Sequence, residues 1–197
     1  MTGKLEDKVA VITGAARGVG RCNAHMMAKE GAKVVIADNG SSVDGSGHSS
    51  EPAEIVAHEI IQQGGEAVAI ACDVSDWNSA ERLVQSTIDI YGKLDILVNG
   101  AGNFRVNNIA DVTKDDWDSL RKVHMDGMMH TSHFAVLHWK ERREYGRLIN
   151  FTSDSFMSGV PDTFAYAAAK GAVVGLTRAI ANAMVSYKVT ANCMTQA

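Results

Sequence analysis

The chain has 197 residues, 46% of them hydrophobic and only two of them proline, which suits a single compact domain with a full core. Its formal net charge of −4 and pI near 5.9 argue against binding to nucleic acid or to an anionic membrane surface. No apolar stretch approaches the length of about 18 residues that spans a membrane, and the three cysteines lack disulfide or zinc spacing, so we expect a cytoplasmic protein without metal.

Short apolar runs alternate with amphipathic stretches along the chain. The runs predict parallel strands at 9–13, 34–38, 67–73, 94–99 and 147–153. The stretches between them predict helices, each opening near a Gly, Ser, Thr or acidic residue, at about 18–30, 52–63, 76–91, 114–140 and 163–186. This alternation is typical of βαβ units, so the sequence predicts an α/β fold. We expect a doubly wound parallel sheet, Rossmann-like, with right-handed crossovers and strand order 3-2-1-4-5-6.

Two segments depart from the alternation. Residues 39–52, NGSSVDGSGHSSEP, are polar and rich in Gly and Ser, which predicts a long surface loop after the second strand. Residues 189–194, VTANCM, predict the start of a sixth strand, and only three residues follow them. We therefore expect one domain over 1–197 whose last strand and C-terminal substrate-covering part are absent from this chain.

A glycine-rich turn, TGAARGVG at 13–20, follows the first predicted strand and opens the first predicted helix. In this context glycines let a phosphate approach the backbone, and the helix N-terminus offers unpaired N–H groups. The turn therefore predicts a dinucleotide site that includes Gly14, Arg17, Gly18, Val19 and Gly20.

Asp38 ends the second predicted strand, 18 residues after Gly20. An acidic side chain at this place accepts hydrogen bonds from the adenosine ribose and repels a 2′-phosphate, which favours NAD over NADP. Arg17 is a competing signal, because its guanidinium could pair with a 2′-phosphate. NAD is thus the predicted cofactor and NADP the second candidate.

Two further turns close the third and fourth predicted strands, at the carboxyl edge of the sheet where ligands bind in open α/β folds. They predict additional cofactor-binding residues, namely Asp73, Val74, Asn99, Ala101 and Gly102. Asp73 has an alternative role as an N-cap or Asx turn without a ligand contact. The glycines of NGAG, 99–102, are better suited to close backbone packing than to chemistry.

Three side chains in the last third of the chain suit hydride-transfer chemistry. Tyr166 and Lys170, in YAAAK, share one helix face, and Ser153 lies 13 residues before the tyrosine. A phenol with a pKa near 10 is a poor base at neutral pH, and a cation within about 4–6 Å lowers that pKa. We predict Tyr166 as general acid/base, Lys170 as the cation that lowers its pKa, and Ser153 as the hydroxyl that holds the substrate oxygen. YAAAK alone fits an ordinary helix equally well.

In order and spacing, these motifs resemble the short-chain dehydrogenase/reductase family over essentially the whole chain. The resemblance implies NAD(P)-dependent hydride transfer between a secondary alcohol and a ketone. Tyr166 would be the proton donor and acceptor, Lys170 would also anchor the nicotinamide ribose, and Ser153 would stabilise the substrate oxygen. It also implies a homodimer or homotetramer formed through the helices at 114–140 and 163–186, although their apolar stripe is more simply explained as core.

His124 stands where that family usually has an asparagine. The family's asparagine acts through its backbone carbonyl, which a histidine keeps. VHMDG at 123–127, together with the long loop after the second strand, resembles the (3R)-hydroxyacyl-CoA dehydrogenase unit of peroxisomal multifunctional enzymes. This resemblance implies a 3-hydroxyacyl thioester or a hydroxysteroid-like substrate.

Two other functions remain open on the same residues. The chain could be a catalytically silent NAD-binding sensor or scaffold, because NCMTQA at 192–197 departs from the family's usual Pro-Gly ending and no substrate-covering segment follows. An epimerase or dehydratase on the same fold would also keep Tyr166 and Lys170.

Overall fold

Six parallel strands form one sheet in the computed structural model, which describes residues 3–196 without the side chain of Gln196. Their order is β3-β2-β1-β4-β5-β6, which confirms the predicted order. The strands are β1 (Val9–Thr13), β2 (Lys33–Asp38), β3 (Glu66–Ala71), β4 (Ile96–Asn99), β5 (Gly146–Ser153) and β6 (Val189–Gln196).

Helices cover both faces of the sheet because successive strand residues point to opposite sides. Ala10 and Ile12 of β1 belong to one core cluster, with α1 and α2, and Val11 belongs to the other, with α3, α5 and α7. The helices are α1 (Gly18–Lys29), α2 (Glu51–Gln62), α3 (Trp77–Tyr91), α4 (Lys114–Arg121), α5 (Met128–Arg142), α6 (Ser155–Ser158) and α7 (Phe164–Met184). The sequence did not predict the short α6.

The helix predicted at 114–140 contains a π-helical turn, Lys122–Gly127, which joins α4 to α5. A capping box starts α4, in which Thr113 and Asp116 each accept a hydrogen bond from the other's backbone N–H. At the far end of the turn, a Cβ on Gly127 would lie 2.6 Å from Cγ2 of Val74. Glycine therefore lets this helix approach the loop after β3.

Strand β4 begins at Ile96, later than predicted, and Asp95 just before it belongs to a buried cluster of charged groups. Its carboxylate is 1% exposed, accepts a hydrogen bond from the Val9 backbone N–H and pairs with Lys93 and Arg142. This cluster lies at the amino edge of the sheet, opposite the carboxyl edge at which ligands bind in open α/β folds. Within residues 3–196, no helix is both long and apolar enough to cross a bilayer.

Candidate active site and cofactor cleft

A cleft of about 700 Å³ lies at the carboxyl edge of the sheet. Its volume is in the range of small-molecule and cofactor sites. Loops after β1 to β4, the start of α1, the π-helical turn and α7 form its walls. Most of the predicted site residues line it: Gly14, Arg17, Gly18, Val19, Gly20, Asp38, Asp73, Val74, Ala101, Gly102, Tyr166 and Lys170.

The glycine-rich turn is shaped by close backbone contacts. Gly14 has a φ of +67°, and a Cβ there would lie 2.7 Å from the Cα of Ala101. A Cβ on Gly20 would lie 2.1 Å from the Gly14 carbonyl oxygen, whereas one on Gly18 would meet open space. The N-cap of α1, Arg17, makes no side-chain cap hydrogen bond. The helix start thus offers N–H groups to the cleft, which fits the phosphates of a dinucleotide.

The Asp38 carboxylate is held in place by two backbone groups. One oxygen accepts from the Ala16 N–H at 2.9 Å and the other from the Gly40 N–H at 2.7 Å. The competing Arg17 guanidinium points to the loop after β2 and donates to the Ser41 carbonyl oxygen at 2.7 Å. A fixed negative charge therefore stands at the place where an adenosine ribose binds in this kind of fold.

Asp73 forms the Asx turn that the sequence offered as the alternative to a cofactor contact. Its Oδ1 accepts from the backbone N–H of Ser75 at 2.9 Å and from the Ser75 hydroxyl at 2.7 Å, which is an Asx turn. The residue also lines the cleft beside Val74. The turn thus holds the loop after β3 in the cleft wall.

Asn99, a predicted cofactor-binding residue, is not among the residues that line the cleft. Its Nδ2 donates to Ser132 and Asn150, and its Oδ1 accepts from the Thr131 hydroxyl at 2.7 Å. A buried amide must satisfy its donors and acceptor, and here α5 and β5 do so. The Asn99 side chain therefore joins the sheet to α5.

Tyr166 and Lys170 face the same cleft from α7, as their spacing predicts. The Lys170 side chain is buried, and its Nζ lies 5.4 Å from the centre of the Tyr166 ring. Ser153 ends β5 next to them. It is not among the residues that line the cleft, but its hydroxyl is near enough to the Tyr166 phenol to lower the pKa of that phenol. The predicted trio is thus adjacent in space.

The pKa of Tyr166 differs from the expectation. Burial raises the pKa of the phenol above its usual value, the Ser153 hydroxyl opposes this, and the Asp154 carboxylate raises it further. Burial also disfavours the charged form of Lys170 and lowers the pKa of its ammonium to about 8. Lys170 is predicted to lower the pKa of Tyr166; in the protein without cofactor, desolvation of the phenol is the largest effect on that pKa and raises it.

Sequence reasoning missed a contact between the loop after β2 and the segment after β4. Phe104 N–H donates to the Val43 carbonyl oxygen at 2.9 Å, and Arg105 Nε donates to that of Asp44 at 3.2 Å. The Gly- and Ser-rich loop therefore lines the cleft besides forming surface. The polar composition of this loop did not indicate a place in the cleft wall, although its position at the carboxyl edge of the sheet did.

Asn103 is a second residue that sequence reasoning missed. Its Nδ2 donates to the Ser119 hydroxyl at 2.8 Å, and its backbone contacts the imidazole of His124. Its Oδ1 is buried and has no hydrogen-bond partner among the residues that the structure describes. Among residues 3–196, no cluster of three or more His, Cys, Asp or Glu side chains is arranged to hold a metal ion.

The sequence profile of the family described as short chain dehydrogenase matches residues 8–197. The chain therefore belongs to the short-chain dehydrogenase family, whose members are oxidoreductases that use NAD(P). A crystal structure of a short chain dehydrogenase from Mycobacterium avium has 37% sequence identity and a TM-score of 0.90, covering 98% of this chain and 68% of that one. Fold and family thus agree.

Curated relatives align over nearly the whole chain. A 3-oxoacyl-[acyl-carrier-protein] reductase of Synechocystis is 34% identical over 96% of this chain and 73% of its own length. Peroxisomal multifunctional enzyme A of Dictyostelium discoideum is 39% identical over 90% of this chain and 39% of its own length. The hydroxyacyl-CoA dehydrogenase ChsB1 of Mycobacterium tuberculosis is 35% identical over 97% and 61%. The chain thus spans less than two thirds of the length of the last two relatives. The predicted resemblance to peroxisomal multifunctional enzymes is confirmed.

Proposed function

We propose that the protein is an NAD-dependent oxidoreductase that interconverts a secondary alcohol and its ketone, with a 3-hydroxyacyl thioester as substrate. The observation that carries this proposal is the cleft that Tyr166, Lys170 and the glycine-rich turn line together, with the Lys170 ammonium beside the Tyr166 ring. The names of the relatives, an acyl-carrier-protein reductase and a hydroxyacyl-CoA dehydrogenase, favour a thioester. A hydroxysteroid-like alcohol is the second candidate.

When bound, NAD would supply the hydride acceptor of this reaction. The glycine-rich turn and the start of α1 would hold its phosphates, and Asp38 its adenosine ribose. In the oxidation, the Tyr166 oxygen takes the proton of the substrate hydroxyl, and in the reduction it returns a proton to the ketone oxygen. Ser153 donates a hydrogen bond to that oxygen, and the buried Lys170 charge stabilises the phenolate while Tyr166 is deprotonated.

The catalytic role of Tyr166 is tested with Tyr166→Phe. Wild-type protein is assayed with NAD and both enantiomers of a 3-hydroxyacyl-CoA, a 3-hydroxyacyl carrier protein and a panel of hydroxysteroids. Because the variant keeps the ring and loses the general acid/base, kcat should fall by about 10²–10⁴-fold. Tyr187→Phe, which removes a hydroxyl from a residue outside the cleft, is the matched control. Unchanged turnover in Tyr166→Phe would remove this residue from the chemistry, and tight NADH binding without turnover in the wild type would favour a sensor.

The preference for NAD is tested at Asp38. Wild-type protein should bind NADH at least about tenfold more tightly than NADPH, because the fixed carboxylate repels a 2′-phosphate. Asp38→Asn removes the charge and keeps one hydrogen-bond acceptor, so this ratio should approach one. Asp89→Asn, an exposed change on α3, is the control for net charge. A wild-type preference for NADPH would contradict the assignment.

We also propose that two or four copies associate through α4, α5 and α7. Three large apolar side chains on α4 and α5 are substantially exposed, namely Trp117 (40%), Met129 (37%) and Leu137 (46%). Burial of such side chains between copies is favourable. Light scattering should give the mass of a dimer or tetramer for the wild type and a smaller mass for Leu137→Glu. A wild-type monomer would exclude this assembly.

A cytoplasmic location is proposed on the basis of the cysteines. Cys22, Cys72 and Cys193 are all free, and free thiols suit a reducing compartment. Fluorescence microscopy of the tagged full-length protein tests this, and a peroxisomal pattern would contradict it.

A further inference from the structure

His124 lies in the π-helical turn, where the helix formed by α4 and α5 passes the segment after β4. It is 3% exposed. Its Nε2 lies 2.8 Å from the carbonyl oxygen of Asn103 and 3.3 Å from the backbone nitrogen of the same residue. The shorter contact is with an acceptor, so we assign the proton to Nε2, which then donates to Asn103.

The imidazole also packs against Gly102 and against the ring of Tyr166. A Cβ on Gly102 would lie 2.7 Å from Cε1 of His124, so only glycine admits the ring at this place. The ring centre of His124 lies 5.3 Å from that of Tyr166, with the planes at 89°. Phe104 makes a similar edge contact with Tyr166, at 5.1 Å and 84°. Edge-to-face pairs at these distances are favourable.

We propose that His124 is a positioning residue whose imidazole fixes the segment Gly102–Phe104 and, through it, the Tyr166 ring. The donated hydrogen bond holds the Asn103 backbone, and the bond from Asn103 Nδ2 to Ser119 holds the same residue from α4. Phe104 is adjacent in the chain and therefore keeps its place against Tyr166. This inference rests on the proposed function, because it assigns a purpose to the position of the phenol oxygen.

The length of the side chain gives histidine a role that asparagine lacks at this position. Nε2 of an imidazole lies one atom further from the backbone than the amide nitrogen of asparagine, and the ring fills the space above Gly102. Burial and the nearby Lys170 charge keep this imidazole neutral, since its pKa is lowered to about 3. It therefore carries no proton to the substrate at neutral pH, which separates positioning from acid/base catalysis.

Two variants separate the hydrogen bond from the ring. His124→Gln keeps an N–H donor at the same distance along the side chain, and His124→Phe keeps a ring without the donor. His138→Gln is the matched control, because its Nε2 accepts from the Leu94 backbone N–H at the opposite edge of the sheet. Hydrogen exchange of the 197-residue protein, with and without NADH, measures the amides of 102–105 against those of β4.

In His124→Phe, exchange at 102–105 should accelerate by about five- to tenfold, as loss of one hydrogen bond implies, while β4 is unchanged. Its kcat should fall by about tenfold with the NADH affinity within about twofold, because a misplaced phenol affects chemistry more than binding. His124→Gln should restore both quantities to within about threefold of wild type, and His138→Gln should change neither.

Equal exchange at 102–105 in wild type and His124→Phe would overturn the proposal, as would a His124→Gln variant that behaves like His124→Phe. The exchange measurement requires no turnover. If the expected exchange pattern appears and no substrate is converted even by the wild type, the positioning of the segment stands and the proposed function fails.

Discussion

The Lys170 ammonium lies 5.4 Å from the centre of the Tyr166 ring and donates a hydrogen bond of 2.9 Å to the Phe151 carbonyl oxygen. Strand β5 therefore holds the cation beside the phenol before any ligand binds. Burial lowers the pKa of Lys170 from 10.5 to about 8, so the folded protein carries this charge at a cost. We attribute this energetic cost of a buried ammonium to the catalytic role proposed for Lys170.

We predict that Lys170→Met stabilises the protein and abolishes hydride transfer. The folded pKa of Lys170 lies below its unfolded value, so the unfavourable contribution is fully present below about pH 8 and is relieved as pH rises toward 10.5. Allowing for the lost hydrogen bond to Phe151, the gain at pH 7 should be about 1–2 kcal/mol. Urea unfolding at pH 7 and pH 9.5 should show a difference from wild type that shrinks at the higher pH.

Lys29→Met, an exposed change at the end of α1, is the control for replacing a lysine with methionine. It should move the free energy of unfolding by no more than about 0.5 kcal/mol at either pH. A Lys170→Met variant that is less stable than wild type at pH 7 would show that the ammonium stabilises the fold.

We predict that the phenol of Tyr166 titrates above pH 10 in the protein without cofactor, because burial raises its pKa. The chain has four tyrosines, so the difference between the absorbance titrations of wild type and Tyr166→Phe isolates this one. Ser153→Ala should raise the pKa further, since the Ser153 hydroxyl lowers it, and Asp154→Asn should lower it. A Tyr166 pKa below 10 without cofactor would contradict this balance of causes.

The sequence predicted the strand order and most of the cleft wall, since these depend on local features. Gly20 is required by backbone approach within the turn, since a Cβ there would lie 2.1 Å from the Gly14 carbonyl oxygen, and Asp38 follows from the end of a strand. The carboxyl ends of parallel strands meet at one edge in any fold of this class, so residues at those ends are brought together by topology alone.

The features that the sequence did not predict depend on tertiary contacts. The Asn99 side chain turns away from the cleft because Ser132, Thr131 and Asn150 satisfy it from two other elements. The raised pKa of Tyr166 reflects how deeply the finished fold buries the phenol, which spacing along a helix does not report.

A buried polar network below the cleft should be essential for stability. Asn150 is fully buried, accepts from Asn99 at 2.9 Å and donates to the Thr177 hydroxyl of α7 at 2.8 Å. Asn150→Val removes the hydrogen bonds to Asn99 and Thr177 and leaves these buried groups one partner short, so we predict a loss of about 2–4 kcal/mol in the free energy of unfolding. Urea unfolding measures this. Asn192→Ala, an exposed change on β6, should cost less than about 0.5 kcal/mol, and an equal loss in the two variants would refute the network's importance.

His124 should make the protein sensitive to acid. Its folded pKa of about 3 lies below the ordinary value of 6.5, so the unfolded state gains a proton first as pH falls. Stability from this residue is complete above about pH 6.5 and decreases by about 1.4 kcal/mol per pH unit below it. Lys170 keeps its charge throughout this range, and its repulsion of a protonated imidazole acts in the same direction.

Urea unfolding between pH 7 and pH 4.5 tests the acid sensitivity with the same two His124 variants. His124→Phe and His124→Gln both lack the titrating group, so their loss of stability over this range should be smaller than that of wild type by about 2–3 kcal/mol. The two variants should agree in this slope even though only His124→Gln keeps the hydrogen bond to Asn103, because the slope reports protonation and not packing. Parallel losses in wild type and both variants would show that the imidazole takes up its proton without unfolding.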